Sequence, residues 1–597
     1  VNSKGDSYAK AVVNGDDFTG GAVGIGVNEL YAYAKGGFNA TAGGNISASS
    51  ITIDSNYKVN ANAVSAQPNG GAKLELATIQ GNIAYAETDA SSTAGIDGAG
   101  TIATGALSAT ANATAKATAE IQGVNLSITG VNLAVNVVTA VVNGTQKAIV
   151  RGATVAASSV SVRSYFNIGS STENYAATAV VGSNGGASVG IVGGNTSSAK
   201  ASVTAKVSSE VDGAVFASVP GAVTVLTEAK SFALARVIEP TAAVTLVNVS
   251  LIKVEADAAG TFTASFKVGP GDSSVGSVSV KSVYTVYSRA KTGSAGGLNL
   301  SLANAKLNKA TANTSVAGNA GFGSGGKLEV SGDVLVMVDA IADAIADVAS
   351  PSLSVSGYGA AVNEVTANLN ASQNAYAFGS GSANIAGQIE ILSKLNASEG
   401  GHGALAISRG PRGSISALAA YTNSAYANSA SENIGYIADI DLTAASVKLY
   451  VHTVNLADAR AENGSALGAF AYGNLYAESC TADRAVAKIS GGKVTATSGS
   501  VDLDAENSST SKSLAAAGGT DLLLVGATTS ESKAYVGKSG RRQVAEVFIA
   551  DGAVVKAKED VDLYAYNIGL AQAIIQKGGS YSIAKIAVSA LPTVSYY

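Results

Sequence analysis

Residues 498–508 read SGSVDLDAENS: a turn of small residues, then Val501, Leu503 and Ala505 alternating with Asp502, Asp504 and Glu506. Neighbouring side chains of an extended strand point to opposite faces, so the apolar residues share one face and the acids the other. Three acids in a row are compatible with a metal site, an acid/base pair or a hydrated surface. The rest of the chain decides, because the apolar-x-apolar pair after a small-residue turn recurs. It appears at SSITIDS (Ile51, Ile53), GALSATA (Leu107, Ala109), SSVSVRS (Val160, Val162), GAVTVLT (Val223, Val225) and GSVSVKS (Val278, Val280). It continues at GDVLVMV (Val334, Val336), GQIEILS (Ile389, Ile391), ASVKLYV (Val447, Leu449), GSVDLDA (Val501, Leu503) and EDVDLYA (Val561, Leu563). First members lie 53 to 63 residues apart, about 57 on average, over ten copies.

Between signatures, Gly or Gly-Gly turns recur at 68–73, 183–188, 294–299, 398–403, 462–467, 516–521 and 576–581, each followed by another alternating run. Each unit therefore reads as roughly five short strands separated by turns. A unit this small cannot bury its own apolar face, but stacked copies share one core. The expected fold is all-β: one elongated parallel β-helix, or β-solenoid, of about ten repeats of roughly 57 residues spanning residues 1–597. With about two or three coils per repeat, the rod would be on the order of 100 to 150 Å long. One segment has another spacing. VMVDAIADAIADVAS (336–350) sets Asp339, Asp343 and Asp347 four apart, as an amphipathic helix would. It follows a signature directly, where the other copies have strands, and strand is the expectation.

Composition agrees with repetition. The 597 residues include 69 Gly, one Met, one Cys, two His, seven Pro and no Trp, poor material for a large globular core but sufficient for short strands and tight turns. Charged residues make up 14% and the net charge is −5, which leaves no basic field for nucleic acid and little repulsion between copies. A single cysteine permits no internal disulfide and suits a chain exported unfolded. The most apolar stretch, GVNLSITGVNLAVNVVTAVV (123–142), alternates like strands and carries Asn125, Ser127, Asn132 and Asn136, so no transmembrane segment is expected. The first residue is Val1, without an initiator Met or signal-peptide pattern, and the sequence starts and stops within a repeat, as an excerpt of a longer chain would.

The succession KAYVG, a turn, VVKAKEDVDLYAYN, a Gly-Gly turn and an apolar alternating strand resembles the repeats of leukotoxin-like filamentous adhesins, within the filamentous-haemagglutinin group of bacterial secreted proteins. The resemblance covers essentially the whole chain and rests on loose patterns. It implies an extracellular or cell-surface location, parallel β-helices that bind host or neighbouring-cell surfaces or one another, and no catalytic residues. The group's amino-terminal secretion domain and a carboxy-terminal barrel are not recognisable, which leaves the export route open.

Candidate sites compete with plainer roles. His402, in a Gly-rich turn, and His452, after a signature, share no metal or catalytic frame. Cys480 lacks a nucleophile motif, and Arg541 with Arg542 reads as a solvated turn. The strongest enzyme alternative is a β-helix polysaccharide lyase or glycoside hydrolase using Asp16 with Asp17, Asp439 with Asp441, or Asp502 with Asp504. No pair carries a local basic or aromatic substrate signature, and no catalytic residue, cofactor or metal is expected. Asn-x-Ser/Thr sequons are frequent, among them Asn39, Asn45, Asn112, Asn143, Asn248, Asn299, Asn370, Asn396 and Asn463. The positions matching Asp502 and Asp504 hold Thr52 and Asp54, Ser161 and Arg163, Ser279 and Lys281, Glu390 and Leu392, Lys448 and Tyr450, and Asp562 and Tyr564. Such a face preserves no single chemistry. The expected function is that of a structural and adhesive rod, self-associating end to end or laterally, with multivalent contacts supplying affinity.

Overall fold

The protein is described by a computed structural model covering all residues except 15–17, 67–71, 123–125, 171–173, 183–186, 240–241, 295–297, 350–352, 398–402, 411–412, 518–520, 538–541, 577–579, 583–592 and 597. The described residues are strands and turns without a helix, and every strand pairing is parallel or a continuation of one. The strands form two long ladders joined into one sheet. One ladder begins with Asn2–Asn14 and Ile46–Ala66 and reaches Val561–Gln576. The other begins with Phe18–Ala42 and reaches Asp521–Val536. The chain alternates between them, so each tier has one arm in each ladder. This long parallel ladder is the arrangement of a β-helix.

Register shows how the signatures stack. Ile51 pairs with Leu107, Leu107 with Val160, Val160 with Val223, Val223 with Val278 and Val278 with Val334. Val334 then pairs with Ile389, Ile389 with Val447, Val447 with Val501 and Val501 with Val561. Each signature thus lies directly on the next one in sequence. The expectation of two or three coils per unit is corrected here: one interval between signatures makes one circuit. Five short strands per unit are also not what forms. Ala72–Ile121, for example, is one strand of 50 residues that runs through both ladders, with a register shift at the corner between Asp97 and Gly100. Gly and Ser bends do not end a strand when the tiers on either side bend at the same level, because backbone pairing resumes directly beyond the corner.

The corner between ladders explains one candidate acid. Gly44, Gly98, Gly152 and Gly213 turn it with φ of 85°, 116°, 67° and 66°, and Gly491 and Gly552 do so further up with 75° and 85°. In the tier below Gly491 the corner residue is Asp439, with φ 55°. Asp and Asn are the side chains that best tolerate this left-handed conformation, so Asp439 marks a turn.

Inside, the core is continuous and rich in alanine. Val162, Val225, Ile391, Leu449, Val501 and Leu503 of the signatures are fully buried, as are Ala109 through Ala119 at alternate positions. Small residues let the ladders approach closely: a Cβ on Gly435 would lie 2.8 Å from Leu449 Cδ1 and Val451 Cγ2. Phe216, Phe266 and Phe322 stack through successive tiers at 5.6 and 5.8 Å between ring centroids. Residues 336–348 of the segment with four-residue spacing lie in the strand Val334–Val348, which pairs along its length with 278–292. Register with its neighbours outweighs the four-residue spacing of its aspartates. The apolar stretch at 123–142 is strand from Leu126 onward, and no helix among the described residues is long and apolar enough to cross a membrane. Most Gly-Gly turns fall on undescribed residues; at 462–467 the turn separates Val447–Asn463 from Ser465–Thr481.

Candidate functional site on the outward face of the signature strands

The opening acids lie on the outward face, half-buried between neighbouring tiers. Lys448, Asp502 and Asp562 form one column across three tiers, Tyr450, Asp504 and Tyr564 the next, and His452, Glu506 and Tyr566 the third. The column of Asp502 continues downward through Glu390, Leu335, Ser279, Thr224, Ser161 and Ser108 to Thr52. The outward chemistry therefore shifts along the stack, hydroxyls from Thr52 to Ser279 and charged groups from Glu390 to Asp562, while the inward chemistry does not. Parallel in-register stacking makes this possible, since each outward side chain contacts its equivalents above and below but not the core.

In the upper tiers these neighbours form a polar cluster. The Tyr450 hydroxyl donates to Glu506 Oε2 at 2.9 Å, and His452 Nε2 lies 3.7 Å from the same oxygen. Lys448 Nζ stands 5.8 Å from the Tyr450 ring centroid. Partial burial raises the Asp502 carboxyl above the usual range, and repulsion from Asp562 adds to it while Lys448 opposes. Burial, then repulsion from Asp502, raises Asp504. Burial holds His452 below its ordinary value, with Glu506 pulling the other way and Lys394 reinforcing the drop. His452 is thus a neutral imidazole beside a carboxylate at pH 7. The cluster offers hydrogen-bond donors and acceptors beside aromatic faces, suited to weak polar contacts. Among the described residues, no group of three or more His, Cys, Asp or Glu side chains converges closely enough to hold a metal.

The other candidates separate. His402, Asp16, Asp17 and Arg541 lie outside the described residues, and Arg542 is exposed. Asp441 opens the short strand Asp441–Ala444 beneath Lys493, and Asp439 turns the corner before it. Cys480 is buried. Among the sequons, Asn39, Asn45 and Asn370 are exposed, whereas Asn299 and Asn396 are buried.

Two buried devices escaped the sequence reading. Asn396 sits with φ 54° where the tier above Val334–Val348 gains five residues between the pairs Ala340 with Leu395 and Ala344 with Ala404. Its Oδ1 accepts the Ala342 N–H at 2.8 Å and its Nδ2 donates to the Ala342 carbonyl at 3.1 Å, replacing the missing strand partner. Asn167, with φ 51°, does the same for Ala115 at 2.7 and 3.1 Å. Both follow the first residue of a signature by seven positions, a spacing visible in the sequence but meaningless before the insertions are known. The second device is a pair of buried carboxyls. Asp483 accepts hydrogen bonds from Ser431, Ser509 and Asn455 at 2.7 to 2.8 Å. Asp343 is buried with its Oδ1 unpartnered, the Ala344 N–H going to the Gly403 carbonyl at 3.2 Å, and burial pushes its carboxyl up to about 8.

No protein family, curated protein or solved structure matches the chain.

Proposed function

We propose that this chain is a structural and adhesive rod of a bacterial cell surface, an extracellular β-solenoid of about ten repeats of roughly 57 residues that binds multivalently and self-associates. The observation that carries the reading is the signature ladder: an inward column that keeps Val, Ile and Leu from Ile51 to Val561 beside an outward column that passes from hydroxyls, Thr52 to Ser279, through Leu335 to the charged Glu390, Lys448, Asp502 and Asp562. A scaffold needs a constant inside; an adhesive surface is free to vary outside, each tier adding a weak contact and many tiers adding avidity. One circuit per repeat makes the rise about 4.8 Å per repeat, so ten steps extend about 48 Å and a longer projection needs more repeats. The resemblance of KAYVG and VVKAKEDVDLYAYN to filamentous adhesins points the same way.

Binding of the purified chain to cell surfaces and to a glycan and protein array tests this reading. Apparent affinity should rise steeply when the chain is displayed in several copies. A single tight, saturable site of unchanged affinity would overturn it. The competing reading, a β-helix polysaccharide lyase or hydrolase, has one observation in its favour: two carboxyls held above their usual range, Asp502 and Asp504, beside Tyr450 and His452. Release of defined oligosaccharides from an acidic or neutral polysaccharide, lost in Asp504→Asn, would decide for the enzyme.

A further inference from the structure

At the start of the second-ladder arms from Ala72–Ile121 to Gly413–Ala438, among the described side chains, the polarity of the sheet is reversed. In Ala242–Val268, Val244, Leu246, Val247, Val249 and Leu251 are exposed, while Thr245 and Ser250 are buried. Two consecutive outward residues, Leu246 and Val247, mark a level where the regular pairing skips one residue, and it skips at the same level in the tiers before and after. This stacked irregularity preserves one outward set across a change of side-chain parity. The positions in register with these five hold no charged residue in any tier from Gly20 to Asn474. Ile25, Leu246 and Leu302 are 74%, 52% and 58% exposed. The inward side carries hydroxyls and amides instead, with Lys306 paired to Glu239 at 2.9 Å in register with Ser250. Thr129, Ser354, Ser356, Ser414 and Ser416 are buried there, and Asn308, Asn363, Asn423 and Asn463 form a chain of side-chain hydrogen bonds at 2.6 to 2.8 Å.

Burying hydroxyls while Leu and Val face outward reverses what water selects. We propose that this strip is a docking surface for a second copy of the chain, joined laterally, strip against strip. The inference rests on the reading of the chain as a self-associating rod and deepens it by naming the face.

Three observations favour a copy as the occupant. The first is area. About eight residues at about 3.3 Å, over eight steps of about 4.8 Å, make a strip on the order of 1,000 Å². A single patch on a monomer is typically about 300 to 600 Å², and a stable pairing needs about 800 Å² from each partner. The second is periodicity: two identical strips share the axial step, so the ridges of one fit between those of the other in every tier, related by a two-fold axis. The third is charge. The strip has none to repel its twin, and its flank is a mixed-sign rim already neutralised by Lys200 with Glu255 and Lys309 with Glu364, both at 2.8 Å. A lipid surface would be expected to face a basic rim and Trp anchors; this rim is balanced, the chain has no Trp, and its net charge is −5.

The test is the mass of the whole chain by sedimentation equilibrium, with vesicle flotation as a second arm. The wild type should sediment at twice its 58.6 kDa, or a higher multiple, at micromolar concentration. Leu246→Lys combined with Leu302→Lys should weaken association at least 100-fold with an unchanged strand circular-dichroism spectrum. Should the lysines disturb folding, Leu302→Ser alone carries the comparison, with a smaller loss expected. A monomeric wild type overturns the proposal while leaving surface binding intact as a function. Association equal in wild type and variants leaves self-association standing but removes it from this face. Flotation of monomeric wild type with neutral phosphatidylcholine vesicles, abolished in the variants, assigns the strip to lipid and overturns pairing.

Discussion

Asp343 offers the sharpest energetic prediction. It lies in the strand Val334–Val348, is 8% exposed, has an unpartnered Oδ1, and has its carboxyl pushed up to about 8 from 3.8 by burial. The folded protein therefore holds a proton on Asp343 in a window where the unfolded chain has released it. Between about pH 4 and pH 8 the native state binds more protons than the unfolded state, so this group's contribution to stability is greatest below the window and falls as pH rises through it. Each pH unit removes about 1.4 kcal/mol, so from pH 4 to pH 7 the loss is on the order of 4 kcal/mol. Asp343→Asn keeps the shape and cannot ionise. Its stability relative to wild type should climb by about 1.4 kcal/mol per pH unit across the window and level off above it. Urea unfolding of both proteins at pH 4 to 9, followed by circular dichroism, measures the difference. Parallel profiles would refute the buried, neutral carboxyl and with it the strand placement of this segment.

Further outcomes follow from the same structure. Leu503→Ala should cost about 2 to 5 kcal/mol by opening a cavity in the core, whereas Asp504→Ala, one residue away on the outward face, should stay within about 0.5 kcal/mol; thermal unfolding compares the two. Asn396→Ala removes both braces on Ala342 and places Ala at φ 54°, and should cost about 2 kcal/mol or more, with faster amide exchange at Ala342. His452 should titrate below 6.5 by proton NMR, and Glu506→Gln should lower it further by removing the carboxylate that opposes burial. Because its folded value is depressed, the stability His452 contributes is complete above 6.5 and declines as pH falls below it.

Parallel in-register stacking made much of the fold legible in sequence. A signature whose inward residues must cover their equivalents repeats at a regular distance, so Val501 and Leu503 could be assigned inward and Asp502 and Asp504 outward before any coordinates. The number of circuits per repeat was not legible, because a period measures contour length and says nothing about where the corners fall. The polarity of the second ladder was hidden for a related reason. Val131, Leu133 and Val135 alternate with Asn132 and Ala134, which reads as apolar-in, yet Leu133 is 42% exposed. A period of two tells which residues share a face but not which face is covered. Asn167 and Asn396 were invisible because their role exists only where one tier is longer than the next.

The central claim, one circuit of chain per interval between signatures, can be measured as a distance. Spin labels on Ser279→Cys and Asp562→Cys, with the buried Cys480 replaced by Ala, sit on one outward column five steps apart. Pulsed electron paramagnetic resonance should give a distribution centred near 24 Å, five rises of about 4.8 Å. A distribution centred at about 48 Å or beyond, as two or three coils per interval require, would contradict the account.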